Sequence, residues 1–282
     1  MIKNRYSTGM SFRPLNLIIV LVTLASASYG QTESPVQSPA RPFGLDIVAP
    51  VMLAASDEAS KQFQVEVLPS LLKMTNLNLS ERVGIKDVKS VALNPELLTL
   101  KDDSTVRTYF LGEGAAFKNT LGFSTEGGSP FDKTAQLIFP DSSDPSALGG
   151  SGSAIRTTRN PLLAGDFVDL GKFAGGTTLD FFLISDGASG GKRFFSTNHS
   201  LNGDGLIHAV SFQKDGTSYF VIGFEDIWGG GDRDYNDTLF VLEFKSLGDG
   251  GGSGLGVPEP SMAMGAMFAV AMMAGVSRRR KH

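Results

Sequence analysis

The densest group of chemically capable side chains is Gly223-Phe224-Glu225-Asp226-Ile227-Trp228-Gly229-Gly230-Gly231-Asp232-Arg233-Asp234-Tyr235-Asn236-Asp237. Five carboxylates and one Asn share this stretch with a single cation, Arg233. Like charges so close repel one another unless something neutralises them. A hard cation with oxygen ligands would do so. Ca²⁺ suits the stretch because it accepts about six to eight oxygens in flexible geometry, with affinities of about 10⁻⁴–10⁻³ M in extracellular modules. Asp226, Asp232, Asp234, Asn236 and Asp237 are the candidate Ca²⁺ ligands, and the glycines allow the loop to turn its carbonyls inward. The alternative is an Asp/Asn-rich turn whose side chains cap backbone amides. Trp228 and Tyr235 stand beside the acids. If exposed, both are candidates for stacking on a glycan, since these rings combine an apolar body with a polar end.

Other spacings carry less. Asp232-x-Asp234-x-Asn236 resembles the opening of an EF-hand loop, but Asp237 occupies the sixth position, where that loop needs Gly for its sharp turn. Glu243, at the twelfth, lies in a strand-like run, so a helix-loop-helix site is rejected. Asn202-Gly203-Asp204-Gly205 reads as a hairpin turn, because Asp-Gly is a strong turn signal. Gly187-Ala188-Ser189-Gly190-Gly191-Lys192 lacks the first Gly of a phosphate loop, and Arg193 replaces its Ser/Thr. Gly150-Ser151-Gly152-Ser153-Ala154 lacks the last Gly of a nucleophile elbow. His199 and His208 have no spacing that builds a zinc site or a Ser-His-Asp triad. His208 sits in a strand pattern as a core or face residue. Carboxylates crowded in one turn suit a shared cation better than an acid pair flanking a sugar.

The elements that must position this loop read as mostly β: a β-sandwich or jelly-roll-like domain with a short helical N-terminal preface. Strand candidates are Val106–Phe110, Ala135–Phe139, Asp166–Leu170, Leu179–Ser185, Leu206–Phe212, Tyr219–Phe224 and Leu239–Phe244. Each is short and bounded by Gly, Asp, Asn or Pro. Phe181, Phe182, Phe220 and Phe240 are expected in the core. Before them, Ala54 to Met74 places Phe63, Val67, Leu71 and Met74 at helical spacing, with Pro69 predicted to kink or split the helix. Leu77 to Arg82 is predicted to begin a second short helix. The resulting division is a signal peptide over 1–30, a flexible linker over 31–42 and the helical preface over 43–90. The β domain covers 91–246, a Gly/Ser-rich linker 247–256 and a C-terminal sorting tail 257–282.

Phe224-Glu225-Asp226, Gly231-Asp232-Arg233-Asp234-Tyr235-Asn236-Asp237 and Leu239-Phe240 resemble the signature of the bacterial domain of unknown function numbered 4114. Upstream, Asn119-Thr120-Leu121-Gly122-Phe123 is similar to that family's early Asn-x-Leu-Gly-aromatic segment. The resemblance extends over about Val91 to Phe244. It implies a secreted or surface setting, often beside adhesin-like modules, and assigns no biochemical activity.

Both ends carry addresses. Lys3, Arg5 and Arg13 precede an apolar run from Leu15 to Ala27, and small residues follow through Gly30, the pattern of a secretory signal peptide. The run is short of the about 20 apolar residues that span a membrane. At the other end, Pro258-Glu259-Pro260 precedes the apolar segment Met262 to Val276, a predicted transmembrane helix. Arg278-Arg279-Arg280-Lys281 then form a basic stop-transfer cluster. This tail resembles the PEP-CTERM sorting signal of Gram-negative bacteria, which implies an exosortase as processing partner and transient residence in the inner membrane.

A formal net charge of -4 gives no electrostatic case for nucleic acid. Without cysteine there is no disulfide, thiolate metal site or Cys nucleophile. Apolar residues at 41 % support a packed core, and the 34 glycines favour a turn-rich β architecture. The expectation is a non-catalytic, exported cell-surface or matrix protein, stabilised by Ca²⁺, acting in adhesion or biofilm-like structure. A carbohydrate-binding module that takes extracellular polysaccharide is the alternative, and a secreted hydrolase the third reading.

Overall fold

A computed structural model describes residues 37–145, 155–213 and 217–248. The segment expected to be a signal peptide, most of the expected 247–256 linker and the expected sorting tail with Pro258, Glu259, Pro260 and Arg278 to Lys281 lie outside them. No helix among the described residues is long and apolar enough to cross a membrane.

The chain is mostly β. Its strands are β1 (Ser104–Gly112), β2 (Thr120–Ser124), β3 (Gln136–Phe139), β4 (Phe167–Phe173), β5 (Asp180–Ser185), β6 (Arg193–Ser196), β7 (Ala209–Gln213), β8 (Tyr219–Phe224) and β9 (Thr238–Ser246). They form a five-stranded sheet in the order β4-β1-β9-β8-β7 and a four-stranded sheet in the order β3-β2-β5-β6. All strand pairs are antiparallel. The sheets pack face to face as a sandwich. Phe181 of β5 meets Phe240 of β9 at 5.3 Å between ring centroids, and Phe110 of β1 meets Phe139 of β3 at 5.9 Å. Both separations suit tilted or edge-on aromatic pairs.

Before the sandwich come α1 (Glu58–Gln62), a π-helical turn (Phe63–Val67) and α2 (Leu68–Asn78). Asp57 caps α1 in a reciprocal capping box with Ser60, and the left-handed Ala55 keeps the preceding residues out of the helix. Proline has no N–H for the carbonyl four residues back and clashes with it. The wider π turn accommodates Pro69 at the start of α2, the split expected there. The second helix expected from Leu77 does not form. Leu77 and Asn78 close α2, and Val83 N–H donates to Ser80 O in a turn that places Arg82 at φ 59°.

The helical preface packs on the sandwich as a third layer. Phe63, Val67, Leu68 and Leu71 pack on the outer face of the five-stranded sheet against Tyr109, Val221, Leu239 and Val241. The Phe63 and Tyr109 rings stack at 3.8 Å. Phe240, Leu242 and Phe244 alternate with Leu239 and Val241 along β9 and enter the core between the sheets. Phe43, Leu45 and Ile47 cover the outer face of the other sheet around Leu137, Phe182 and Ile184. Leu206 to His208, expected in a strand, precede β7 because Asp204 and His208 are engaged in a turn.

Replacing Phe63, which is fully buried, with Ala should cost about 3–5 kcal/mol, the range for losing a buried aromatic. Urea unfolding of Phe63→Ala checks this. A loss below about 1 kcal/mol would mean that the helical layer is not part of the cooperative core.

Candidate functional site

The acidic loop connects β8 to β9, neighbours in the middle of the five-stranded sheet. The strands pair up to Phe224↔Thr238, and Asp237 N–H donates to Phe224 O at 3.1 Å. Other segments hold the loop from three sides. Glu225 N–H donates to His208 O at 2.9 Å. The exit from α2 lies along the loop's far arm, with Arg82 N–H donating to Asp234 Oδ2 at 2.7 Å and Ile85 N–H to Arg233 O at 2.8 Å. From the other sheet, Asn119 at the start of β2 donates through Nδ2 to Asp226 Oδ2 at 2.6 Å and accepts at Oδ1 from Asp186 N–H.

The carboxylates gather into two groups. Oxygens of Glu225, Asp226 and Asp237 lie within 4.8 Å of one another, and so do oxygens of Glu225, Asp232 and Asp234. Glu225, Asp226 and Asp234 are buried. Several of these acids cap amides, as the turn reading requires. Asp237 Oδ2 accepts from Asp226 N–H, and Asp234 also accepts from Asn236 N–H. Glu225 differs. Its Oε2 accepts from Arg233 N–H at 3.1 Å, but its Oε1 is buried with no hydrogen-bond partner. A buried, unsatisfied carboxylate oxygen is expensive, because burial removes its water without replacing it.

The ionisation of these groups follows from their crowding. Burial first, and then the charges of Asp232, Asp226 and Asp234, push the Glu225 carboxyl up to about 7. Burial and the charges of Asp226 and Glu225 push Asp237 up to about 9. Burial also raises Asp226 and Asp234. None of the five carboxylates is ion-paired among the described residues.

The remaining candidates divide. Asn236 is buried, its Nδ2 directed at Leu79 O and Glu81 Oε2, each at 3.5 Å. Tyr235 is not a stacking platform. Its left-handed backbone (φ 54°) returns the ring to the cluster under the helices, where it is 2 % exposed and donates its hydroxyl to Ile207 O. Trp228 is 47 % exposed, with the Arg193 guanidinium 4.8 Å from its ring centre. Asp204 braces this side of the loop, accepting from Gly229 N–H and from His208 Nε2, each at 2.9 Å. Burial alone would raise its carboxyl, but these hydrogen bonds hold it below its ordinary value. His208 is fully buried and stacks on Phe195 at 3.7 Å.

The loop lies within a stretch that matches a sequence-family model. Residues 173–245 match the model of the family described as Domain of unknown function (DUF4114). The DUF4114 match begins at the end of β4 and contains the whole acidic loop. It is shorter than the span expected from the sequence, so the segment from Asn119 to Phe123 falls outside it. No curated protein and no solved structure matches the chain. Residues outside the DUF4114 match, Asn119, Glu81 and Arg82, nonetheless complete the loop's surroundings.

A carboxyl with a raised native pKa binds protons that the unfolded chain releases, so its stabilising contribution is full at low pH and is lost as pH rises. In excess EDTA, the unfolding midpoint should therefore fall as pH climbs from the ordinary carboxylate range, near 4, through about 7 and towards about 9. Asp237→Asn should flatten the upper part of that slope. A midpoint that rises with pH across this window would contradict the burial of these acids.

Proposed function

We propose that the β8–β9 loop is a divalent-cation site, filled by Ca²⁺, that completes this end of the sandwich in a non-catalytic protein of the cell surface or extracellular matrix. The observation that carries the reading is Glu225 Oε1, buried without a partner among carboxylates that lack ion pairs. A cation would supply the missing partner and cancel the repulsion that raises the surrounding carboxyls. An all-oxygen donor set in an irregular loop suits Ca²⁺ better than Mg²⁺, which demands near-ideal octahedral geometry and keeps its waters.

The setting follows from the ends of the chain. The basic, apolar and small-residue N-terminus would direct export. The tail from Pro258-Glu259-Pro260 to Lys281 would hold the chain in the inner membrane until an exosortase-like enzyme processes it, as in PEP-CTERM proteins. Outside the cell, a cation-rigidified sandwich would serve adhesion or a biofilm-like matrix. A second reading rests on Trp228, half-exposed beside Arg193 at the loop's tip. That pair would let the module take extracellular polysaccharide, with Trp228 as the sole stacking ring. A glycan-array signal abolished by Trp228→Ala would favour it, and an unchanged array would remove it.

The cation reading is tested by thermal unfolding of the purified protein in EDTA, then across a Ca²⁺ titration with Mg²⁺ as control. A ligand of the folded state at a hundredfold excess over Kd adds about 2.7 kcal/mol. A Ca²⁺-specific rise in midpoint, lost in Asp226→Asn/Asp237→Asn, is expected. No shift at millimolar Ca²⁺ would leave the loop as a capped turn.

A further inference from the structure

We infer that the loop holds two cations rather than one, with the Glu225 carboxylate shared between them. The inference deepens the cation reading above and rests on it. The two acidic groups meet only at Glu225. Asp226 and Asp237 lie on one side of it and Asp232 and Asp234 on the other, and each set of three has its oxygens within 4.8 Å. Oxygens within that reach of one another can surround one Ca²⁺ ion held at about 2.3–2.6 Å. The two sets share only Glu225, so two such ions would lie on either side of it.

The orientation of Glu225 agrees with bridging. A methyl group built on Gly231 would sit 1.9 Å from Glu225 Oε1, so this unpartnered oxygen is aimed at the arm that carries Asp232. Gly231 is therefore required twice: for its left-handed backbone (φ 43°) and for the close approach of that oxygen. The same side chain belongs to the group on the Asp226 and Asp237 side. A carboxylate between two ions, with the ions about 3.5–4 Å apart, is the usual geometry of a two-metal site.

Charge points the same way. The five carboxylates face one guanidinium within the loop, that of Arg233. With all five ionised, one divalent ion would halve the four uncompensated charges and two would cancel them. Glu225, Asp226 and Asp234 are buried, and buried like charges are tolerated only when neutralised.

Calorimetric titration of the EDTA-stripped full-length protein with CaCl₂ counts the ions. Two equivalents are expected in the unaltered protein. Asp234→Asn and Asp237→Asn should each lower the count to one, with folding checked by the near-ultraviolet spectrum. One equivalent in the unaltered protein would overturn the second ion and leave the cation reading standing, whereas no binding would end both. Two equivalents retained in both variants would place the ions elsewhere and also overturn the inference. A second measurement needs no variant. Tb³⁺ loaded at one equivalent and excited through Trp228, the one tryptophan of the chain, should lose most of its luminescence lifetime when Eu³⁺ fills the adjacent site. An unchanged lifetime would mean that no second ion sits beside the first.

Discussion

The central strands β1, β8 and β9 are covered on both faces, by the opposite sheet on one side and the helices on the other. That constraint governs the β8–β9 connection. A loop leaving the middle of a three-layer sandwich starts where water is already excluded, and its backbone groups must find partners within the protein. Most of them come from distant chain: His208 O, the exit of α2, and Gly114, whose N–H meets Asn236 O. Gly223, near the end of β8, lets the returning loop pass close, since a methyl group there would lie 2.3 Å from Tyr235 O. The two ends of the loop are thus folded against the end of the sheet, and Glu225, Asp226 and Asp234 are buried as a consequence of topology, while Asp232 at the tip stays exposed.

Burying acids is unfavourable unless each finds a counterpart. Where an amide is within reach, the cost is offset: Asp234 takes Arg82 N–H, Asp237 takes Asp226 N–H, and Asp226 takes the Asn119 side-chain amide. These contacts explain why the turn reading and the cation reading are not rivals. Asp226 and Asp237 each take an amide on one oxygen and have the other free of amides, whereas Asp234 takes amides on both. Glu225 Oε1 is left without a partner after the amides have been distributed, and the proposed cation rests on that remainder.

Much of the fold was legible in the sequence, and the failures have physical causes. The short apolar runs around Phe181, Phe220 and Phe240 read as strands, and they are β5, β8 and β9. β2 and β6 were overlooked: Thr120-Leu121-Gly122-Phe123-Ser124 has a Gly at its centre, and Arg193-Phe194-Phe195-Ser196 holds only two apolar residues between Gly190-Gly191 and a polar turn. The amphipathic spacing of Phe63, Val67 and Leu71 revealed a helix, and Pro69 its irregularity. Neither could reveal that the apolar face closes a third layer. At the site, the carboxylates were visible because they are contiguous. Their grouping around Glu225, which was not among the candidate ligands, depends on how the loop folds. Its support by Asn119 joins residues 107 positions apart. Tyr235 misled because an aromatic in a polar turn reads as exposed. Only its left-handed backbone turns the ring back into the core.

The same arithmetic of burial sets how this end of the molecule responds to its medium. With the acids ionised and no cation, their repulsion acts directly on the β8–β9 connection, and relief comes either from protons or from opening of the loop. Opening would release more than the turn. The exit of α2 is tied to Asp234 and Arg233, and Asn119 ties the second sheet to Asp226. Trp228 lies between Asp226 and Asp232 and is braced through Gly229 by Asp204. Whatever neutralises the carboxylates therefore acts where the helical layer, the second sheet and the exposed tryptophan each touch the loop, while the apolar clusters hold the layers themselves.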